Sequence, residues 1–420
     1  MATEVMTSIP VNPAGAPAAT RNHAIGCLLL LLVAIYLVAG PYARFSDWHV
    51  DAAENPGMAE ALAWHEGRLD LPHRMHDSAL YDGRVYNVFP PLFTLLAWFA
   101  TWLGPALGAP DGQFPSAWLV TLVALPVAVT GYAAFLSAKI RPGWAALFAA
   151  GWILGTPILP ALATAREGGI NHISHLLSQT GLMLIAISLF SGRRFACGLI
   201  GILIAAWSRP LCILFALPLL RRASTAEPPR RKRRMIALAV TVLVSLALPM
   251  GLSWAKFGSP IDSGYKYLYQ GRDDDLAQAG RRRLFSLDYV PKNLWYMNIE
   301  LPGWESGDYG LRPDVSPYGA SIWFTMPILV LILIDFRRVW RDSIERWTML
   351  ASFAVVGGLL CFHNTGYIQP GYYRFALDFI ALWLVIIARH FTADPWRARL
   401  TIGAFAWSIL YFNLVTQMYS

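Results

Sequence analysis

Three carboxylates, Asp47, Asp51 and Glu54, stand four and three residues apart just beyond the first apolar run of the chain. On a helix that spacing puts all three on one face, where they suit a general base, a cation site or a plainly solvated loop. A second feature is cationic. Arg209 falls in Trp207-Ser208-Arg209-Pro210 between two apolar runs, and a charge in such a place costs about 2.5–3.5 kcal/mol unless it is paired or reaches water. Arg374 precedes Asp378 by four residues, the spacing of an intrahelical ion pair. Both arginines carry the forked donors that match a phosphate; for Arg209 the plainer reading is a side chain that snorkels to an interface.

His172 and His175 form a His-x-x-His pair, but no third ligand stands at a recognisable spacing and no His-Glu-x-x-His occurs, so a divalent metal is not indicated. Tyr81, Tyr86, Asn87, Trp295, Trp304, Tyr309 and Trp323 offer rings and amides suited to stacking on sugars, or to an aromatic belt at a lipid interface. There is no Gly-x-Gly-x-x-Gly after a strand, no phosphate-binding loop, and no soluble stretch long enough for a nucleotide-binding domain. Cys27, Cys197, Cys212 and Cys361 lie in or beside apolar runs without Cys-x-x-Cys spacing and read as small core residues. The Gly151/Gly155 pair reads as helix packing.

The elements that must position these groups are membrane helices. Of 420 residues 56% are hydrophobic and 14% charged, against about 25% charged in a soluble domain. The +8 net charge sits in short clusters between apolar runs, which argues for loop charges and against nucleic acid. Apolar runs stand near 24–40, 90–108, 117–138, 144–162, 175–190, 195–207, 211–220, 235–254, 319–335, 347–362, 374–389 and 399–415. Basic clusters at Lys139/Arg141, Arg193/Arg194, Arg221 to Arg234, Arg337/Arg338/Arg341 and Arg389/Arg397/Arg399 mark cytoplasmic loops. Alternation then leaves one crossing too many. The run at 90–108, opened by Pro90-Pro91 and closed by Gly104-Pro105, is the one read as a juxtamembrane helix. The expectation is an all-α polytopic protein of about 11 spans (10–13), with residues 1–23 a disordered cytoplasmic N-terminus, 24–415 one membrane domain, and outer loops near 41–116 and 256–318.

The order of features in those loops carries a resemblance. Asp51 is followed by Ala59-Glu60-Ala61-Leu62, Glu66 to Leu71, Tyr81 to Asn87 and the Pro90-Pro91 helix. Gly155-Thr156-Pro157, Ser208-Arg209-Pro210, Phe257 to Pro260 and Gly371 to Asp378 come after. Together they resemble the GT-C superfamily of polyprenyl-phosphate-sugar-dependent glycosyltransferases, in a bacterial branch similar to protein mannosyltransferases. The resemblance implies a GT-C-like bundle whose first outer loop holds juxtamembrane helices and a catalytic acid matching Asp51, with Asp47 second. Family members often have Asp-Glu where this chain has Asp51-Ala52. Glu54, Tyr86, Asn87, His172, His175, Arg209, Tyr265 and Arg374 are the candidate substrate-binding residues. No cofactor is implied. The partners are a polyprenyl-phosphate sugar, a lipid, glycan or protein acceptor, and the membrane lipids of the bacterial cytoplasmic membrane, with the large loops periplasmic or extracellular. A multi-span transporter or lipid flippase is the alternative, and it predicts paired halves that the sequence does not display.

Overall fold

The structure is a computed structural model that describes residues 50–51, 54–75, 77–104, 113–114, 116–165, 169–191, 194–268, 278, 283–307, 310–364 and 371–417. The first apolar run, the N-terminal segment before it, Asp47 and Tyr309 lie outside the described residues, as does the side chain of Asp51. In chain order the elements are β1 (Val50–Asp51), α1 (Pro56–His65), β2 (Ser78–Tyr81), β3 (Arg84–Asn87), α2 (Pro91–Leu103), β4 (Gln113–Phe114) and α3 (Ser116–Ser137). Next come α4 (Pro142–Leu154), α5 (Ile158–Ala165), α6 (Ile170–Phe190), α7 (Phe195–Ser208), a 3-10 turn (Pro210–Phe215), α8 (Ala216–Ser224), α9 (Pro228–Phe257) and α10 (Tyr265–Leu268). The remainder is α11 (Val290–Asn298), β5 (Gly303–Gly307), β6 (Gly310–Asp314), α12 (Ile322–Thr325), α13 (Val330–Ile334), α14 (Phe336–Arg341), α15 (Ser343–Leu360), a 3-10 turn (Arg374–Asp378), α16 (Ile380–His390) and α17 (Pro395–Gln417).

The chain is mainly helical but not all-α. Three two-stranded antiparallel ribbons, β1 with β4, β2 with β3 and β5 with β6, sit in the two long polar segments. Polar segments cannot bury a helical stripe, and a local cue folds one of them: Asp82-Gly83, with φ of 49° and 72°, supplies the left-handed pair that a tight hairpin needs. β1 also removes the helical face expected of Asp47, Asp51 and Glu54, because Val50 and Asp51 pair with Phe114 and Gln113 in extended conformation.

Three helices, α6, α9 and α17, are long and apolar enough to cross a membrane, and α4 with α5 passes the same test as one span bent by 56° at Gly155-Thr156-Pro157. The chain is therefore a membrane protein. α6 is the hub, with 94% of its apolar window enclosed, while α9 has only 17% enclosed and faces outward. α2 has 13 residues, about 20 Å at 1.5 Å per residue, less than the roughly 30 Å of a hydrocarbon core. The expected spans at 319–335 and 374–389 are interrupted. Pro327 breaks the first into α12, a 3-10 turn and α13, and the second opens as a 3-10 turn before α16.

α6 and α7 touch backbone to backbone. A Cβ on Gly201 would lie 2.6 Å from the Gly181 carbonyl oxygen, and one on Gly181 would lie 2.7 Å from the Gly201 oxygen, the close approach that small residues permit between membrane helices. Gly151 similarly faces the Phe405 ring of α17.

All five basic clusters meet at one end of the bundle. Arg221 donates to Ser343 at the start of α15, and Arg389 donates to Glu345. Arg234 lies over Phe195, Arg397 pairs with Asp335, and Trp144, just past Arg141, packs on Phe391. The long polar segments lie at the other end. Gly201→Val is expected to wedge α6 from α7 and to cost about 1–3 kcal/mol, read as a lower unfolding temperature of the detergent-purified protein. A variant that unfolds at the native temperature would refute the close contact.

Candidate functional site

Pro210 starts the site. It ends α7 and forces the residue before it out of helical geometry, so Arg209 is extended, at φ −141° and ψ 98°. Its guanidinium therefore points across the bundle and not along the helix. There it meets Asp378 in a forked pair: Arg209 Nε lies 3.0 Å from Oδ1 and a terminal nitrogen lies 2.9 Å from Oδ2. His175 of α6 places Nδ1 3.1 Å from the same carboxylate, off the axis of a well-formed hydrogen bond. Gln179, one turn further along α6, donates to the Leu377 carbonyl at 2.6 Å. Asp378 and His175 are fully buried.

The expected Arg374–Asp378 ion pair does not form. In a 3-10 turn residues three apart eclipse one another and residues four apart diverge, and Arg209 holds the Asp378 oxygens instead. Arg374 is left 9% exposed, with its Nε buried and without a hydrogen-bond partner. The two guanidinium carbons lie 5.3 Å and 5.6 Å from the centroid of one ring, Phe375. Two cations are thus crowded together, and the described carboxylate in ion-pair contact is held by one of them.

Both arginines line a cavity of about 430 Å³. Asp77, Asn171, Tyr265 and Asp378 share the polar wall, and Asn171 donates to Asp77 Oδ2 at 3.1 Å. Asp77 has φ 61°, a conformation that aspartate tolerates better than most residues. Leu211, Leu359 and Phe362, with Pro249 and Leu252 of α9, the outward-facing helix, give the cavity apolar lining. A chamber with both cationic and apolar lining suits an anionic lipid head and its chain.

Tyr265 is set by the turn before it. Asp262 accepts from the Gly264 N–H at 3.1 Å and from the Tyr267 hydroxyl at 3.0 Å; partial burial opposes its charge, but these donors and Lys266 hold its carboxyl below the usual range. Burial pushes the Tyr265 phenol up to about 12 although Arg209 acts against it, so it faces the cavity as a neutral donor.

A second buried network ties the first polar segment to the bundle. Asn55 caps α1 through the Gly57 and Met58 N–H groups. From that helix Glu60 accepts from Asn87 Nδ2 at 2.7 Å and Thr94 Oγ at 2.8 Å, and pairs with Lys256 near the end of α9. Lys256 also donates to the Asn87 carbonyl at 2.8 Å and lines the cavity.

Of the residues singled out in the sequence, Asn87, Arg209, Tyr265 and Arg374 meet at the cavity, and His175 stands behind Arg209 and Asp378. His172, on the first turns of α6, is buried beside them. Glu54 is exposed in the turn before α1. Tyr86 is a packing residue, its ring 5.5 Å from Phe257. Trp295 and Trp323 donate to Glu300 and Asn298, away from the cavity. Asp77, Asn171, Gln179, Glu60 and Lys256 were not singled out by pattern. A lysine in the last turn of an apolar 30-residue helix was the one signal available. Among the described residues no group of three or more His, Cys, Asp and Glu is gathered for a metal.

No protein-family model and no curated protein matches the chain. Two solved structures do. The apo oligosaccharyltransferase of Archaeoglobus fulgidus superposes with a TM-score of 0.52 at 12% identity, covering 94% of this chain and 55% of that one. The archaeal oligosaccharyltransferase AglB from Archaeoglobus fulgidus, in complex with an inhibitory peptide and a dolichol-phosphate, gives 0.51 at 13% identity, covering 96% and 56%. The fold is similar to that of these two oligosaccharyltransferase structures. At such identity the likeness is one of fold, and this chain spans about half the length of those enzymes.

Two outcomes follow from the buried charges. Glu60→Ala, which strands Lys256, is expected to cost about 3–5 kcal/mol, and a Glu60→Leu/Lys256→Met double variant to recover most of it. Thermal unfolding of the three proteins checks this, and equal losses in both variants would count against it. His363, in the loop after α15, is pushed by burial from 6.5 down to about 4 against the Leu284 carbonyl. The unfolded chain then takes up a proton that the folded one refuses, so stability is intact above pH 6.5 and falls as the pH drops from 6.5 towards 4. His363→Gln should flatten that part of the stability profile.

Proposed function

We propose that this chain is a membrane glycosyltransferase that moves a sugar from a polyprenyl-phosphate-linked donor to an acceptor at the outer face of the bacterial cytoplasmic membrane. The observation that carries the reading is Arg374, a buried guanidinium without a hydrogen-bond partner at Nε, beside Arg209 in a chamber that also has apolar lining from α9. An isolated buried cation is costly, and a lipid phosphate would supply its counter-charge while the apolar wall along α9 takes the isoprenoid chain.

The chemistry is a displacement at the anomeric carbon. An acceptor hydroxyl attacks, its proton passes to a carboxylate, the bond from the sugar to the phosphate oxygen breaks, and the polyprenyl phosphate leaves with the electron pair. Arg209 and Arg374 stabilise the charge that develops on the leaving phosphate. Asp378 and His175 keep Arg209 in place. Asp51, with Asp47 as the second candidate, is the assigned base by resemblance to the GT-C superfamily, and Asp77 is a carboxylate that lines the cavity. Asn87, Tyr265 and His172 supply further polar contacts to donor or acceptor. With the basic clusters cytoplasmic, the cavity end of the bundle is the outer one.

The test is sugar transfer in membranes supplied with polyprenyl-phosphate sugars. Arg374→Gln is expected to lower kcat by about 10²–10³-fold, as loss of one preorganised donor does, with the unfolding temperature little changed. Asp51→Asn should abolish transfer. Native rates in both variants would overturn the assignment, and native rate in Asp51→Asn with loss in Asp77→Asn would move the base to Asp77.

A further inference from the structure

At the end of the bundle away from the cavity, α9 begins with Pro228 and Pro229 and continues through Arg230, Arg231, Lys232, Arg233 and Arg234. Five cations in the first two turns oppose a helix dipole whose N-terminal end is itself positive. Glu227, the residue before the helix, makes no side-chain cap. Among the described residues none of the five basic groups is in ion-pair contact with a carboxylate, and Asp335, Asp342 and Glu345 at this end are held by Arg338, Arg389 and Arg397.

An independent observation points into the same place. Arg222, in the last turn of α8, is 8% exposed, and its Nε is buried without a hydrogen-bond partner. The charge acting on it is another cation, Arg234 of α9, whose guanidinium lies 5.2 Å from the Phe195 ring centroid. The carbonyl end of α8 offers only a partial negative charge. A buried guanidinium with an orphaned Nε, on a helix packed against the one that carries Arg234, calls for an anion with several acceptor oxygens.

The length of α9 says where that anion comes from. Its 30 residues extend about 45 Å at 1.5 Å per residue, close to the ~40–45 Å of a bilayer with its headgroups. Lys256 reaches the cavity at one end, so the basic turns stand at headgroup level in the opposite leaflet. Past those turns the outward face is apolar, with Ile236, Val240 and Leu243 all exposed.

We infer that Arg222 and Arg234 form a binding site for the phosphate of an anionic phospholipid in the leaflet opposite the cavity, with its acyl chains lying along Ile236, Val240 and Leu243. The site is separate from the proposed donor chamber and does not depend on transferase activity. It clamps α8 to α9 through a shared lipid and anchors the chain's depth in the bilayer.

The full chain, purified in detergent, is titrated with phosphatidylglycerol, and retained lipid is counted by native mass spectrometry. The expected result is saturable retention of phosphatidylglycerol over phosphatidylcholine. Arg222→Gln/Arg234→Gln should weaken it by about tenfold or more, the loss of charge-assisted hydrogen bonds, whereas Arg230→Gln/Arg231→Gln removes the same charge with less than about a threefold loss, being screened and exposed. Arg222→Lys keeps the charge without the planar fork and should fall between. Equal losses in the two double variants would overturn the site in favour of a diffuse basic surface. Saturation by inorganic phosphate at the same concentration would overturn the lipid as its occupant. Should the first double variant fail to fold, Arg234→Gln against Arg233→Gln makes the same comparison at half-exposed and exposed positions.

Discussion

A carboxylate enclosed by apolar helices must be neutralised or paired, and Asp378 is met by the fork of Arg209 and by the imidazole of His175. That contact joins three distant parts of the chain: the first turns of α6, the break after α7, and the 3-10 turn before α16. Each is irregular or polar where an ordinary span would be neither. Removing Arg209 or Asp378 would leave its partner's charge in low dielectric, so the break after α7 and the turn before α16 hold one another in register. Because Asp378 is taken by Arg209, Arg374 four residues earlier keeps its charge for the cavity.

The Glu60–Lys256 pair does the same for the first polar segment. That segment builds short ribbons together with α1 and α2, and this network fixes them against α9. Asn87 from the β3 end and Thr94 from α2 donate to Glu60 of α1, and Lys256 pairs with Glu60 and donates to the Asn87 carbonyl. α9 therefore works at both ends. It carries the lysine that locks the loop and the apolar wall of the chamber at one, and the basic turns at the other. Its poor enclosure, 17% against 94% for α6, leaves a lipid-facing helix to separate chamber from bilayer.

Membrane character and the clustering of basic loops at one end were legible because both rest on transfer free energies that act residue by residue. Arg209 and Arg374 were legible for the same reason: a charge inside an apolar run is costly wherever the run lies. The Asp82-Gly83 hairpin is likewise a local conformational demand. By contrast, the helical face expected of Asp47, Asp51 and Glu54 failed at β1, whose pairing partner lies about sixty residues away, and the Arg374–Asp378 pair failed because it presumed a helix where the backbone makes a 3-10 turn.

The amino-acid sequence by itself determined the solvent of this protein, the break at Pro210 and the cost of leaving Arg209 unpaired in lipid. Only the tertiary structure decided which of those charges are spent on one another and which face a cavity. Partner choice depends on through-space distances of a few ångströms between residues as far apart as Arg209 and Asp378, and no periodicity along the chain encodes such a distance. The pairing of Lys256 with Glu60, and the placing of Arg374 on the cavity lining, follow from packing alone.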